Sequence, residues 1–192
     1  MILTEAIDNI IGRNSSKLLT SPHPNAAEMK IVYKAALRAP DHAWLRPSRF
    51  IEVKGKGLNR LSKIFKQYAK ENIIDADDSI INKYANAPFR APMVIVAMTQ
   101  VQQHPKVPEI EQILSTAAAV QNILLSLHAL KYGSIWRTGA LALNDKIVKS
   151  FKLNENYRII GYIYVGTVEG KPKRIPSLDI KDFVTTWESD ND

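Results

Sequence analysis

Apolar residues in this chain fall into helical stripes and short continuous runs. Leu3, Ile7, Ile10 and Ile11 lie a helical turn apart, which predicts a helix over residues 2–11 that buries one stripe. Asn25 followed by Glu28 has the spacing of a capping box, so a second helix is expected to carry Met29, Val32 and Ala36 inward. Pro40 limits that helix to Ala39, because proline disfavours helical geometry in the residue before it. Residues 49–53 read as a strand closed by Gly55 and Gly57. Leu58, Leu61, Ile64, Phe65 and Tyr68 then define an amphipathic helix.

Pro88 and Pro92 bracket a loop ahead of Met93-Val94-Ile95-Val96-Ala97-Met98, a continuous run expected as a strand buried on both faces. Pro108 opens the longest helix, apolar at Ile110, Ile113, Leu114, Ala117, Ala118, Leu124 and Leu125, with Gln121 as the exception and Gly133 as the stop. Its stretch Thr116-Ala117-Ala118-Ala119 lacks bulk, which suits close approach either by a second subunit or within the fold. A short helix over 146–151 and a strand over 157–165, closed by Gly166, complete the regular elements. The remainder is loop, and Phe183 and Trp187 within it are expected to dock on the core or on a partner subunit. The order helix, helix, strand, helix, strand, helix, helix, strand lacks the alternation of a doubly wound parallel sheet. It indicates an α+β fold, a sheet covered by helices, in a single domain over residues 1–192 without repeat or linker.

Composition narrows the class. With 45 % hydrophobic and 23 % charged residues in 192, the chain has the balance of a globular protein with one packed core. No apolar run reaches the roughly 18 residues that span a bilayer. The N-terminus has acidic residues where a signal peptide carries basic ones, so a cytoplasmic location without membrane association is expected. The absence of cysteine excludes disulfides, thiolate catalysis, iron–sulfur clusters and cysteine zinc sites. A net charge of +7 and a pI near 9.5 attract anions. The basic residues are dispersed, however, and the densest stretch, Lys171-Pro172-Lys173-Arg174, is short. Nucleic acid is therefore not the expected partner. A phosphate-bearing small ligand, or simply a solvated basic surface, fits better.

The chain has no GxGxxG, no GxxxxGK[ST] and no GxSxG, so the common dinucleotide, nucleoside triphosphate and hydrolase signatures are missing. No two of His23, His42, His104 and His128 stand at metal-ligand spacing. His128 falls within the long helix and reads as a satisfied core or interface residue. His23 and His104 adjoin prolines and are expected at the surface. His42 belongs to a polar cluster at the end of a helix.

Three segments stand out together: Arg38-Ala39-Pro40-Asp41-His42-Ala43-Trp44-Leu45-Arg46-Pro47-Ser48-Arg49-Phe50, Asn86-Ala87-Pro88-Phe89-Arg90-Ala91-Pro92, and Tyr132-Gly133-Ser134-Ile135-Trp136-Arg137-Thr138-Gly139. In order and spacing they resemble the landmarks of the nitroreductase family, most closely its compact branch, and the resemblance runs from about Glu5 to Trp187. It implies a mixed central β-sheet surrounded by helices and an interlocked homodimer with FMN at the subunit interface. It also implies NADH or NADPH as co-substrate and a small-molecule electron acceptor such as a nitroaromatic or quinone.

Site residues follow from the same resemblance. Gly12, Arg13 and Asn14 match a family Arg-Arg-Ser that holds the FMN phosphate and ribityl chain; Arg13 keeps the guanidinium, while Gly12 and Asn14 depart. The alternative for these three is a plain helix-ending turn. Arg38 and His42 match cofactor contacts, the histidine reaching toward the other subunit's FMN, although Arg38 also suits a last-turn arginine favoured by the helix dipole. Trp136, Arg137 and Thr138 match a segment beside the cofactor, with Arg137 a second phosphate partner and Trp136 equally suited to the core. Arg46-Pro47-Ser48 replaces a frequent Gln-Pro-Trp, so Arg46 either stabilises reduced flavin or turns to solvent. No protein nucleophile or general base is required, because the flavin carries the chemistry. The competing expectation is a flavin-binding protein, a carrier or flavin consumer, without efficient NAD(P)H turnover.

Overall fold

The computed structural model describes residues 5–171 and 173–187. Eleven elements are ordered α1 (Glu5–Gly12), β1 (Leu19–Thr20), α2 (Ala26–Ala36), β2 (Ser48–Lys54), α3 (Lys56–Asn72), α4 (Asp78–Asn86), β3 (Met93–Gln100), α5 (Glu109–Ala129), β4 (Gly133–Arg137), α6 (Asp145–Ser150) and β5 (Tyr157–Val168). Short 3₁₀ turns occur at His42–Trp44, Ala87–Arg90 and Ile180–Asp182. The α+β architecture expected from the element order is present.

Strand β3 is buried along nearly its whole length, and its alternation explains the layering. Val94, Val96 and Met98 face one layer, packing with Leu61 and Phe65 of α3 and Ile147 of α6. Met93, Ile95 and Ala97 face the other, packing with Met29 and Val32 of α2 and Val120, Ile123 and Leu127 of α5. Period-two alternation within a wholly apolar run thus supplies two cores from one strand. The sheet runs β2–β3–β5, with β4 and the short β1 both pairing with the far side of β5. All four pairings among the described residues are antiparallel.

The capping box of α2 forms as expected: the Asn25 side chain accepts from the Ala27 and Glu28 N–H groups, and Glu28 Oε2 accepts from Asn25 N–H at 2.8 Å. Two glycines act differently from expectation. Gly133 does not stop the long helix, which ends at Ala129 with Lys131 at φ 65°; it opens β4, where an added Cβ would lie 2.5 Å from Val168. Gly166 does not close β5, which continues to Val168; a Cβ there would meet the Thr20 carbonyl at 2.7 Å, so glycine lets β1 dock.

Helix α1 is the larger correction. It forms, but no residue of it is buried. Polar contacts tie it to α5: Asn9 Nδ2 donates to Leu125 O at 3.0 Å, and His128 Nδ1 lies 2.9 Å from the Asn9 side-chain oxygen and 3.1 Å from its backbone oxygen. Its expected inner stripe, Ile7, Ile10 and Ile11, remains exposed, and Leu3 lies outside the described residues. Phe183 and Trp187, at 70 % and 92 % exposure, likewise do not dock on the chain's own core. In α5, Thr116 and Ala119 pack inward and Ala117 and Ala118 are half-buried. This helix has the length and hydropathy of a membrane span, and its buried residues here serve the sheet and α2.

Candidate functional site

The residues singled out from the sequence lie at opposite edges of the sheet. The first group surrounds β4. Ser16 N–H donates to Ser134 O at 3.0 Å, which lays the loop after α1 along the start of that strand. Gly12 ends α1, where a Cβ would make ordinary contact with His128 at 3.5 Å. Arg13 is half-buried, and its Nη1 is buried with no hydrogen-bond partner. Asn14 Nδ2 donates to Lys173 O at 3.2 Å, tying the C-terminal segment to this loop.

Successive residues of β4 point to opposite faces. Trp136 turns toward the α2–α5 layer, and its indole N–H donates to Ile160 O at 3.1 Å. That acceptor lies where the register shifts between Ala97 and Met98, which leaves Ile160 of β5 without an opposite residue in β3. The neighbouring Gly161 gives the ring its room: a Cβ would stand 2.0 Å from Trp136 Nε1. Trp136 is therefore a packing residue by its side chain. Arg137 turns the other way, its guanidinium 5.6 Å from the Tyr164 ring centre, with Nε buried and unpaired. Burial raises the Tyr164 phenol pKa, and the charges of Arg90 and Arg137 partly oppose the shift. Thr138 follows, exposed, at the strand end.

Buried guanidinium nitrogens without acceptors are rare in folded proteins, since each leaves a desolvated donor unpaired at about 1–3 kcal/mol. Two of them, on the loop beside β4 and on β4 itself, point to an anionic acceptor that the described residues do not supply. This donor set suits a phosphate.

The second group lies by β2. Arg38, just past α2, is exposed and has no hydrogen-bond or ion-pair partner for its side chain among the described residues. His42 Nδ1 pairs with Glu111 Oε2 of α5 at 2.7 Å. The connecting turn is pinned by Ser115 Oγ donating to Pro40 O at 2.8 Å, Arg46 N–H to Asp41 Oδ2 at 2.7 Å, and Gln102 Nε2 to Leu45 O at 2.6 Å. Beside it opens a cleft of about 470 Å³, lined among others by Arg38, Asp41, Trp44, Arg46, Ser48 and Ser115. Arg46 neither reaches into the protein nor stands alone: its guanidinium lies 5.6 Å from the Trp44 ring centre.

β4 and β2 are separated by β5 and β3. Three strand spacings amount to about 14 Å, so the fold does not bring the two groups into one cluster within a single chain. His23 and His104 are half-buried rather than at the surface, His23 Nδ1 lying 2.8 Å from Pro24 O and His104 Nδ1 accepting from Lys106 N–H at 3.2 Å. Sequence reasoning did not assign roles to Arg90 or Glu111. Glu111 is 69 residues from His42, and nothing local signals that pairing.

These features define a layered α+β domain with two half-buried arginines, each holding one unpaired nitrogen, at one sheet edge and a polar cleft at the other. The Nitroreductase family profile matches residues 10–167. A protein of Escherichia coli K12, provisionally named NAD(P)H nitroreductase YdjA, is 34 % identical over 184 residues, covering 94 % of this chain and 98 % of the relative. The chain belongs to the Nitroreductase family. Its fold is shared by a nitroreductase-like family protein from Bacillus cereus, with a TM-score of 0.79 at 19 % identity over 98 % of this chain and 99 % of the other. A nitroreductase with bound FMN from Bacteroides fragilis has a TM-score of 0.74 at 17 % identity, covering 97 % and 100 %.

Proposed function

We propose that this chain is an FMN-dependent oxidoreductase that uses NADH or NADPH to reduce small acceptors such as nitroaromatics or quinones. The observation that carries the reading is the pair of buried, unpaired nitrogens, Arg13 Nη1 and Arg137 Nε. Both belong to a guanidinium, the side chain best shaped to grip a phosphate in two-pronged fashion. Family membership and the FMN in the Bacteroides fragilis structure name the phosphate-bearing ligand. The NAD(P)H in the name of the Escherichia coli relative supplies the reductant.

When bound, FMN would supply the hydride chemistry that links the nicotinamide to the acceptor. The chain's own residues bind and orient. Arg13 and Arg137 hold the phosphate, with Gly12 and Asn14 shaping the loop that carries Arg13 and Thr138 offering a hydroxyl at the end of β4. Trp136 positions β4 through Ile160. Arg38 and His42 serve the cofactor of a second subunit, since in their own chain they stand across the sheet from Arg13. This reading makes residues 1–192 one domain and the functional unit a homodimer, whose contact covers Ile10 and Ile11 of α1, Ile110 and Leu114 of α5, and Phe183 and Trp187.

One absorbance spectrum of the purified protein, before and after NADPH, tests the reading. The expected result is a flavin spectrum that NADPH bleaches promptly and an acceptor restores. A protein that retains no FMN at tens of micromolar, the weak end of functional affinity, contradicts it. Flavin that NADPH leaves oxidised favours a flavin-binding protein without turnover. Light scattering is expected to give twice the 21.6 kDa chain mass.

A further inference from the structure

The turn between α2 and β2 is held in a backbone conformation that its residues do not favour. Ala43, Trp44 and Arg46 have φ of 58°, 57° and 47°, in the left-handed region that side chains with a Cβ rarely occupy. None is glycine or asparagine. The strain is maintained by the contacts through Ser115, Asp41 and Gln102 and by Arg49 Nη1 donating to Arg46 O at 2.6 Å. A strained turn fixed from several sides by neighbouring elements is a common way of presenting a side chain for function.

What this turn presents is Trp44, 79 % exposed, with the Arg46 guanidinium over its ring. Packing does not explain the indole, because it contributes to neither core. Its exposed surface is available to a flat ring, and the guanidinium beside it offers a planar fork that matches a carboxylate. The charge balance of the cleft points the same way. Arg38 and Arg46 are the cations among its described lining residues and Asp41 the acid, and Asp41 Oδ2 is already engaged by the Arg46 N–H.

We propose that Trp44 and Arg46 recognise the electron acceptor, selecting planar aromatic molecules that carry a carboxylate. The proposal rests on the reading of the chain as an FMN-dependent reductase and specifies what that site reduces. Trp44 stacks on the ring and Arg46 pairs with the carboxylate, so a neutral analogue of the same shape binds less well. Arg46, exposed beside Trp44, supplies the charge on which this selection depends.

The test compares acid and amide on the FMN-loaded protein. Benzoate and benzamide, neither of them reducible, are titrated by calorimetry; 4-nitrobenzoate and 4-nitrobenzamide are compared by kcat/KM with NADPH. Wild type is expected to prefer the acid about ten-fold in both measurements, as a charge-assisted contact implies. Arg46→Gln removes the charge from an exposed side chain and is expected to abolish that preference, whereas Arg46→Lys retains part of it. Trp44→Ala is expected to weaken benzoate and benzamide alike. Equal binding of acid and amide by wild type, or a preference that survives Arg46→Gln, overturns the proposal. If NADPH bleaches the flavin and 4-nitrobenzamide reoxidises it without any such preference, the reductase reading stands and the selectivity alone fails. A protein that retains no FMN removes the reductase reading, and this proposal with it.

Discussion

The two sheet edges that carry the candidate residues solve opposite problems. At the β4 edge, Arg13 and Arg137 are drawn into the protein and left with unpaired nitrogens. At the β2 edge, His42, Asp41 and Arg49 are engaged within their own chain, while Arg38 and the Arg46 guanidinium face outward. The first arrangement leaves desolvated donors that an incoming anion would satisfy. The second stores its cost in backbone geometry, in the positive φ of Ala43, Trp44 and Arg46, and holds that geometry with local hydrogen bonds. On the proposed reading, burial favours the β4 edge for the phosphate where charge alone does not discriminate, since arginines stand at both.

The largest expected effect follows from that assignment. Arg13→Ala removes a charge-assisted contact worth about 1.5–3 kcal/mol, roughly a ten- to hundred-fold loss of FMN affinity. Riboflavin, without a phosphate, is expected to lose much less in the same fluorescence titration. Equal losses for both ligands would move the phosphate away from the β4 edge. A mixed dimer of Arg13→Ala and Arg38→Ala subunits sharpens the comparison further. If each cofactor bridges the β4 edge of one chain and the β2 edge of the other, one site in two keeps wild-type affinity; two sites that are both weaker than wild type would show that the edges do not combine across chains.

Gly161→Ala comes next, and it acts through packing. Its Cβ would collide with the Trp136 indole and lie 2.9 Å from the Arg137 carbonyl. Overpacking of this kind typically destabilises by about 1–3 kcal/mol, readable as a lower midpoint in urea with FMN absent. An unchanged midpoint would mean that Trp136 does not need the bulge to hold β4. The smallest effect belongs to His42→Ala. It is expected to weaken FMN and riboflavin about equally and by only a few-fold, as an exposed ion pair contributes little. A loss confined to FMN would place a phosphate contact at the β2 edge after all.

Elements whose apolar residues find partners within the chain were legible from sequence: the capped α2, the amphipathic α3, the doubly buried β3 and the long α5. The others failed for identifiable reasons. Strand β4 is five residues long, paired on one side only, and spelled Gly-Ser-Ile-Trp-Arg, so neither a continuous run nor alternation marks it. Strand β1 has two residues. Helix α4 is capped by Asp77 but buries none of its residues, so it shows no core stripe to detect. The α1 stripe was visible, but periodicity reveals only that a face is apolar and not what covers it. Of the candidate site, the segments and their arginines could be read from the sequence. The sheet-wide separation of the two groups and the pairing of His42 with Glu111 are long-range consequences of topology.

That separation has a kinetic and thermodynamic consequence. If the proposed dimer holds each cofactor between opposite edges of two chains, FMN binds the pair and not the single chain, and occupancy and association are linked by mass action. Each tenfold excess of FMN over its dissociation constant strengthens the pair by up to about 1.4 kcal/mol per site. Dilution then acts as a slow eluent: below the dissociation constant of the pair, flavin leaves even where none of its contacts has changed. Colour per milligram becomes a measure of protein concentration, and a pale dilute sample describes the assembly equilibrium before it describes the quality of the site.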